Sequence, residues 1–348
     1  MMSTVARASC SCRARSWRDD LGGASARPLV PVLVGPTAVG KTAVALELAR
    51  HIPLSIVSAD ARQVYRGLDI GTAKPGPDVR ARVPHYGIDL VEPGERYSAG
   101  RFARDAAVWL AEIERSGRQP LIAGGTGFYI KALGDGLFQE PPLEAAAREA
   151  LRSWTAGLPP DQAAHWAARL DRGFAGGGRQ RAARAIEVAL LTGRPLSWWQ
   201  RDARQNGAIR PWYIHLTLPR EALVRRITER VDRMLAAGLV AEVRHALARG
   251  VPPHAPGLDG LGYREVVLML EGSLAQADLR EAIIRTTRRY AKRQETWFRN
   301  QLRGSGKGEA GIVWDLDATN APDVLAARIL ERWNAPSPPA SPFPLPAS

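Results

Sequence analysis

The sequence predicts an α/β fold in which helices flank a parallel sheet and an all-helical insertion interrupts it. Short apolar runs that stop at glycine or aspartate alternate with segments of helical periodicity, the pattern of parallel strands joined by crossover helices. Residues 141–205 depart from this pattern because they are alanine-rich and helical. We therefore expect two folding units, which a chain of 348 residues can accommodate.

Four of the apolar runs are expected to form strands of the sheet: residues 29–34, 54–58, 120–123 and 212–218. The first run stops at Gly35 and is followed by a helical pattern from Ala43, which predicts a strand, a tight loop and a helix. The fourth run alternates between apolar and polar residues and returns the chain from the insertion to the sheet. After it, residues 220–303 are mostly helical.

These patterns divide the chain into four parts. The core is expected to comprise residues 28–140 and 206–334, and the helical insertion comprises residues 141–205. Residues 1–27 form a basic extension that we expect to be disordered or to follow an upstream start codon, although its arginines would also suit an organelle-targeting peptide. Residues 335–348 are too rich in proline for helix or sheet, so a flexible tail is expected.

Composition and charge narrow the choice of partners and compartment. A formal net charge of +13 favours a polyanionic partner, although scattered arginines could serve solubility alone. The two cysteines, Cys10 and Cys12, are too close for an ordinary disulfide and too few for a structural zinc site, which fits a reducing compartment. Because no apolar run approaches the roughly 20 residues that span a bilayer, we expect a cytoplasmic protein with no membrane partner.

A phosphate-binding motif lies between the first predicted strand and helix. Its pattern, G-x-x-x-x-G-K-[ST], and this strand-to-helix context are those of the P-loop, so the core is expected to be P-loop NTPase-like. The loop amides would surround phosphate oxygens, while the lysine adds charge and the threonine hydroxyl can bind Mg²⁺. Nucleotides such as ATP are its usual ligands, but any diphosphate offers the same oxygens; the alternative is a glycine-rich helix entry that binds nothing. The motif comprises Gly35, Pro36, Thr37, Ala38, Val39, Gly40, Lys41 and Thr42.

Asp60 follows the second predicted strand, at the edge where open α/β sheets bind ligands. A carboxylate there could be a second-sphere ligand of Mg²⁺, a general base or the N-cap of the next helix. The spacing leaves these roles open.

Five further motifs carry a resemblance to a known family. They are the segment 60–75, the Gly-Gly-Thr-Gly turn with its aromatic pair at 124–129, the Gln-Arg-x-x-Arg helix at 180–188, and the segments 262–265 and 287–300. In order and spacing they resemble the tRNA dimethylallyltransferases, or IPP transferases, over residues 29–303.

The resemblance implies a transferase that moves the dimethylallyl group of dimethylallyl diphosphate to N6 of the adenosine 3′-adjacent to the anticodon in tRNA. Asp60 would be the general base, and Lys41 and Thr42, with Mg²⁺, would stabilise the leaving diphosphate. Thr126 would lie near the leaving oxygen or the extruded base. We expect a monomer.

The same resemblance implies a tRNA-binding set, in which Gln63 reads the extruded base and one helix of the insertion contacts the anticodon stem-loop. For that helix, a solvated face is the alternative. A stripe formed by Arg285, Arg289 and Arg293 suits a phosphate backbone, or again a solvated surface. The set comprises Asp60, Ala61, Arg62, Gln63, Gln180, Arg181, Ala182, Ala183 and Arg184.

The chain departs from the family pattern at three places: Ala61 replaces a serine, Tyr86 a histidine, and the glycines 176–178 a Pro-Asn-Asp turn. Three rival functions stay open. A relative that prenylates free adenine nucleotides would not need the basic helix, a P-loop nucleotide kinase would need an arginine-rich lid, and a nucleic-acid-binding NTPase would hydrolyse ATP when RNA is added.

Overall fold

A computed structural model of the chain describes residues 27–138, 143–203, 206–303 and 312–334. The chain divides into two compact units, Met1–Ile130 with Ile209–Ser348, and Lys131–Ala208. The insertion expected at residues 141–205 falls within the second unit. The basic extension up to residue 26 and the proline-rich tail 335–348 lie outside the described residues.

The first unit is built on one sheet of six strands, all parallel, in the order β3-β2-β4-β1-β5-β6. Its strands are β1 Leu29–Val34, β2 Leu54–Ser58, β3 His85–Tyr86, β4 Gln119–Gly124, β5 Arg210–Thr217 and β6 Ile312–Asp317. The predicted parallel α/β sheet is thus confirmed, and it contains all four predicted strands. β3, of two residues, and β6 were not predicted.

The helices of the chain follow from the amphipathic segments between these strands. They are α1 Lys41–His51, α2 Pro77–Arg82, α3 Ala99–Arg115, α4 Gly127–Asp135, α5 Ala145–Gly157, α6 Pro160–Leu170, α7 Arg179–Thr192, α8 Leu196–Asp202, α9 Arg220–Ala236, α10 Leu239–Ala248, α11 Tyr263–Leu270, α12 Leu279–Arg303 and α13 Pro322–Trp333. Helices α5 to α8 belong to the second unit.

The central strands of the sheet are buried and set the edge at which the site forms. In β1, Val32, Leu33 and Val34 are wholly buried, as central parallel strands require. The register places Val34 opposite Gly124 and Ser58 opposite Ala123. Because these strands end level with one another, the segments that follow them start side by side at the carboxyl edge of the sheet.

The second unit has a small core of its own, in which alanines of α6 and α7 allow close packing of the two helices. The buried residues are Ala163, Ala167, Ala182, Ala185, Ile186, Val188 and Leu196. Helix α7 begins directly after the glycines 176–178, with Gly178 as its N-cap.

Candidate active site

The P-loop has the backbone that its glycines permit. Gly35 has φ +146°, and a Cβ there would lie 2.6 Å from the carbonyl oxygen of Leu216, so only glycine fits against β5. Gly40 has φ +110° and forms the N-cap of α1. The first N–H groups of a helix have no partner within it and attract anions. The start of α1 therefore presents N–H groups that have no partner within the helix at the carboxyl edge of the sheet.

Lys41 is folded back onto this loop. Its Nζ donates to the carbonyl oxygens of Gly35 at 2.9 Å and Pro36 at 2.8 Å. Burial, with a smaller contribution from Arg230, lowers the pKa of Lys41 to about 8 although the charge of Asp60 opposes the change. A bound anion would favour the charged amine, so this lysine is suited to respond to diphosphate.

Asp60 stands beside the loop, and one of its oxygens stabilises the next turn. Oδ1 accepts the backbone N–H of Arg62 at 2.8 Å. The N-cap of a helix, one of the roles considered from the sequence, is therefore wrong, because a turn follows Asp60 and the next helix begins at Pro77. A carboxylate offers about four acceptor positions, so this single bond leaves room for a proton from a substrate.

Thr126 joins the glycine turn to the segment of Asp60. Its Oγ1 accepts the N–H of Ala61 at 2.9 Å, and its own N–H donates to the carbonyl of Ala59 at 3.1 Å. Gly124 is required here because a Cβ would overlap the carbonyl oxygen of Ala59. Tyr290 of α12 shares a hydrogen bond with Thr126, and burial raises the pKa of Tyr290 to about 12.

Four residues of the site were not identified from the sequence. Arg226 of α9 donates to the carbonyl of Val39 inside the P-loop at 2.8 Å, and burial lowers the pKa of Arg230 one turn later. Arg233 lines the same wall. The signal was the spacing of these arginines at i, i+4 and i+7, which puts them on one face of a helix. The fourth, Gln294, bonds both the P-loop and the glycine turn.

One cavity of about 1320 Å³ unites these groups, and its lining residues all come from the first unit. Ten lysines and arginines and five carboxylates line it, so its field favours an anion. The residues predicted in the first unit that do not line it are Gly35, Pro36, Val39, Ala61 and Thr126. The predicted residues that line it are Thr37, Ala38, Gly40, Lys41, Thr42, Asp60, Arg62 and Gln63.

The tRNA-binding residues predicted in the insertion lie at the start of α7. Gln180 and Arg181 are exposed, whereas Ala182 is buried in the core of the second unit. Arg184 pairs with the buried Glu187 at 2.6 Å.

That carboxylate also pairs with two other arginines, at 2.8 Å from Arg148 and 3.2 Å from Arg152. Burial by itself would raise the pKa of Glu187, but Arg184, Arg148 and Arg152 together hold it below its ordinary value. Arg184 therefore has a structural partner within its own unit.

Comparison with known proteins settles the family. A model of the family described as IPP transferase matches residues 63–301, and a model of the family described as isopentenyl transferase matches residues 28–80. The chain belongs to the IPP transferase family. This confirms the resemblance found in the sequence motifs.

Relatives within the IPP transferase family match most of the chain. The tRNA dimethylallyltransferase of Halorhodospira halophila is 46% identical over 288 residues, 79% of this chain and 91% of the relative. That of Syntrophobacter fumaroxidans is 44% identical over 278 residues, 78% and 80% of the two chains. The crystal structure of a tRNA delta(2)-isopentenylpyrophosphate transferase from Staphylococcus epidermidis superposes with a TM-score of 0.62 at 31% identity, covering 88% of this chain and 99% of that one.

Proposed function

We propose that this chain transfers the dimethylallyl group of dimethylallyl diphosphate to N6 of the adenosine 3′-adjacent to the anticodon of a tRNA. The observation that carries the proposal is that one cavity is lined both by a phosphate-binding loop and by Asp60. The names of the relatives support tRNA as the acceptor.

The donor half of the reaction falls to the P-loop and the arginines of α9. As the bond between C1 of the dimethylallyl group and its oxygen breaks, negative charge gathers on the diphosphate. The loop amides, Lys41 and Arg230 would stabilise that charge, since both side chains line the cavity, and removal of one such donor typically raises a barrier by about 2.7–4 kcal/mol.

A magnesium ion fits the donor side of the cavity. Among the described residues, no three His, Cys, Asp or Glu side chains gather as a metal cage. Mg²⁺ commonly takes only one or two protein oxygens together with water and substrate phosphates, and the exposed hydroxyl of Thr42 lines the cavity. Thr42 and the donor's own oxygens would hold the ion, which would neutralise charge on the leaving diphosphate.

The acceptor half of the reaction falls to Asp60. The N6 lone pair forms the new bond to C1 of the donor, diphosphate leaves with the electrons of the broken C–O bond, and Asp60 takes a proton from N6. Thr126 bonds the backbone of the residue after Asp60 and thereby fixes the position of this general base. An adenosine stacked in an anticodon loop must be extruded to reach the cavity, at a cost of a few kcal/mol.

The RNA is proposed to bind along the exposed arginines of α12 that line the cavity, Arg285, Arg289 and Arg293. These residues lie on one face at helical spacing, which suits the regular charges of a phosphate backbone. In the second unit, the exposed Gln180 and Arg181 are the proposed contacts with the anticodon stem. The buried side chain of Ala182 is left out of this surface.

The proposal includes a monomer in the cytoplasm. No helix in the described ranges is long and apolar enough to cross a membrane.

A labelling experiment separates this function from its rivals. The purified protein is incubated with radiolabelled dimethylallyl diphosphate and, in parallel, unmodified tRNA, AMP or ADP. We expect label on tRNA alone. Label on the free nucleotides would favour a nucleotide prenyltransferase, and RNA-stimulated ATP hydrolysis without transfer of label would favour an NTPase.

A further inference from the structure

Glu242 of α10 is bound by four donors, three of them from one stretch of backbone. The N–H groups of Asp69 and Ile70 reach its carboxylate at 2.8 and 2.9 Å, and that of Gly71 at 3.3 Å. Tyr263 donates its hydroxyl proton to Oε1 at 2.7 Å. Burial raises the pKa of Tyr263, and Glu242 raises it further, so this hydroxyl keeps its proton and remains a donor.

The backbone segment that Glu242 binds is followed directly by Thr72 and Ala73, whose carbonyl groups face Gln63. Nε2 of Gln63 donates to the carbonyl oxygens of Thr72 at 3.3 Å and Ala73 at 3.4 Å. Its Oε1 accepts from the hydroxyl of Ser58 at 2.7 Å. Carbonyl oxygens only accept hydrogen bonds, so the end of the Gln63 side chain that faces them must be the NH₂ group. The position of residues 72 and 73 therefore decides which end of the amide donates.

The segment 69–73 has little freedom to take another position. The fully buried ring of Tyr263 lies against Gly71, and Thr72 donates its hydroxyl to the carbonyl of Leu68 at 2.7 Å. Lys74, at the end of the segment, pairs with Asp69 at 2.7 Å and Asp89 at 2.6 Å. Among these contacts, only Glu242 accepts hydrogen bonds from successive backbone N–H groups, and it belongs to α10, which is distant from residues 69–73 in sequence.

From these contacts we infer that Glu242 is a positioning residue that sets the donor and acceptor ends of Gln63 and thereby the choice of acceptor base. The inference rests on the proposed function and on the role in reading the extruded adenine that the family resemblance implies for Gln63. An amide fixed in one orientation can form two hydrogen bonds with adenine, one as donor and one as acceptor. If the amide is turned over, its NH₂ group faces an N–H donor of the base and both bonds are lost. Glu242 itself touches no substrate and acts through residues 69–73.

The test is base selectivity measured in stem-loop RNAs. The acceptor position carries adenosine, 7-deazaadenosine, 1-deazaadenosine or 2,6-diaminopurine, all of which keep the reactive amine, and kcat/KM is measured for each with dimethylallyl diphosphate. Glu242→Gln keeps the shape of the side chain but turns an NH₂ group toward backbone N–H groups. We expect it to reduce the preference for adenosine over at least one analogue by about tenfold, the worth of roughly one hydrogen bond to the base.

Two controls separate positioning from damage to the fold. Tyr263→Phe removes one of the four donors and leaves the three backbone bonds, so selectivity should stay close to that of the unaltered chain. Glu271→Gln changes an exposed carboxylate at the end of α11 and should have no effect. The KM for dimethylallyl diphosphate should stay within about twofold in every variant, because the donor is bound elsewhere in the cavity.

A double-mutant cycle decides whether Glu242 acts through Gln63. In a Gln63→Ala background, Glu242→Gln should cause no further loss of selectivity, since the amide it positions is gone. Additive losses, or lower activity with selectivity intact, would overturn the inference. If Glu242→Gln does not fold, Glu242→Asp keeps the charge on a shorter side chain, and unchanged selectivity in that variant would overturn it too. Absence of any transfer to RNA by the unaltered chain would instead reject the proposed function.

Discussion

The backbone N–H of Thr37 donates to Oε1 of Gln294 at 2.8 Å, which ties the phosphate loop to a helix 257 residues further along the chain. On its other side, the same amide donates through Nε2 to the carbonyl of Gly125 at 2.8 Å. The side chain is buried. One amide group therefore fixes the spacing between the proposed donor loop and the glycine turn that carries Thr126.

Gln294→Glu should damage both activity and stability. The carboxylate would face the carbonyl of Gly125 with an oxygen in place of the NH₂ group, so a buried donor bond becomes a repulsion. We expect the free energy of unfolding to fall by about 1–3 kcal/mol and kcat to fall by at least about tenfold. Urea denaturation and single-turnover transfer assays measure the two effects.

Gln276→Glu is the matched control, because Gln276 is an exposed glutamine at the start of the short turn before α12. It makes the same chemical change and should leave both measurements unaltered. Equal behaviour of the two variants would show that the bridge does not set the geometry of the site.

Binding of diphosphate should weaken as pH rises through about 8, where Lys41 loses its proton in the free protein. Burial has already lowered this pKa from 10.5, so the charged amine predominates only below pH 8, and bound diphosphate must raise the pKa again. Above pH 8 the affinity should fall by up to about tenfold per pH unit. Calorimetric titration with inorganic diphosphate measures it.

In Lys41→Arg that fall should disappear, because a guanidinium keeps its charge throughout this range. The affinity at pH 7 would differ from that of the unaltered chain, since arginine does not fit the same space. A slope around pH 8 that persists in this variant would mean that another group titrates.

Replacement of Asp60 should remove transfer and spare RNA binding. Asp60→Asn retains an oxygen for the N–H of Arg62, so the turn is preserved, but an amide cannot accept the proton of N6. We expect kcat to fall by about 10²–10⁴, as for loss of a general base, and Asp60→Ala to behave alike. Filter binding of tRNA should change little. Lost binding with normal turnover at saturating tRNA would reject the role of base.

Gly71→Ala should destabilise the first unit although the φ of Gly71 lies outside the left-handed region. An added Cβ would lie 2.8 Å from Oη of Tyr263 and closer still to two ring carbons. Since this ring is fully buried, we expect a loss of about 1–3 kcal/mol by urea denaturation.

Gly76→Ala is its control, because a Cβ at Gly76 would meet nothing within 4 Å. Its cost should stay near about 0.5 kcal/mol, the effect of alanine at the N-cap of α2. Similar losses at both glycines would mean that the ring of Tyr263 moves aside.

Local patterns were sufficient to predict the sheet and the loop. Leu29–Val34 and the P-loop are contiguous in sequence, and the chemistry of glycine and the period of the helix define them without reference to the rest of the chain. β3 was missed because two residues carry no periodicity. Edge strand β6 could not be predicted as a neighbour of β5, because pairing across about a hundred residues leaves no local signal.

The bonds that organise the site were beyond prediction for a related reason. Gln294 and Glu242 are ordinary helix residues in sequence, and their role appears only when distant backbone groups are brought to them. Arg226, Arg230 and Arg233 were in principle visible as one face of a helix, but a solvated face has the same spacing. Lys41, Asp60 and Thr126 could be selected because motifs place them at strand ends.

Helix α12 connects the proposed binding sites of the two substrates. This one helix contains Gln294, which bonds the P-loop, Tyr290, which bonds Thr126, and the arginines that are proposed to bind RNA. A movement of α12 that changes one set of contacts must also change the others, and such coupling between two binding sites is reciprocal. Binding of the donor should therefore change the affinity for tRNA, and binding of tRNA should change the affinity for the donor by the same factor.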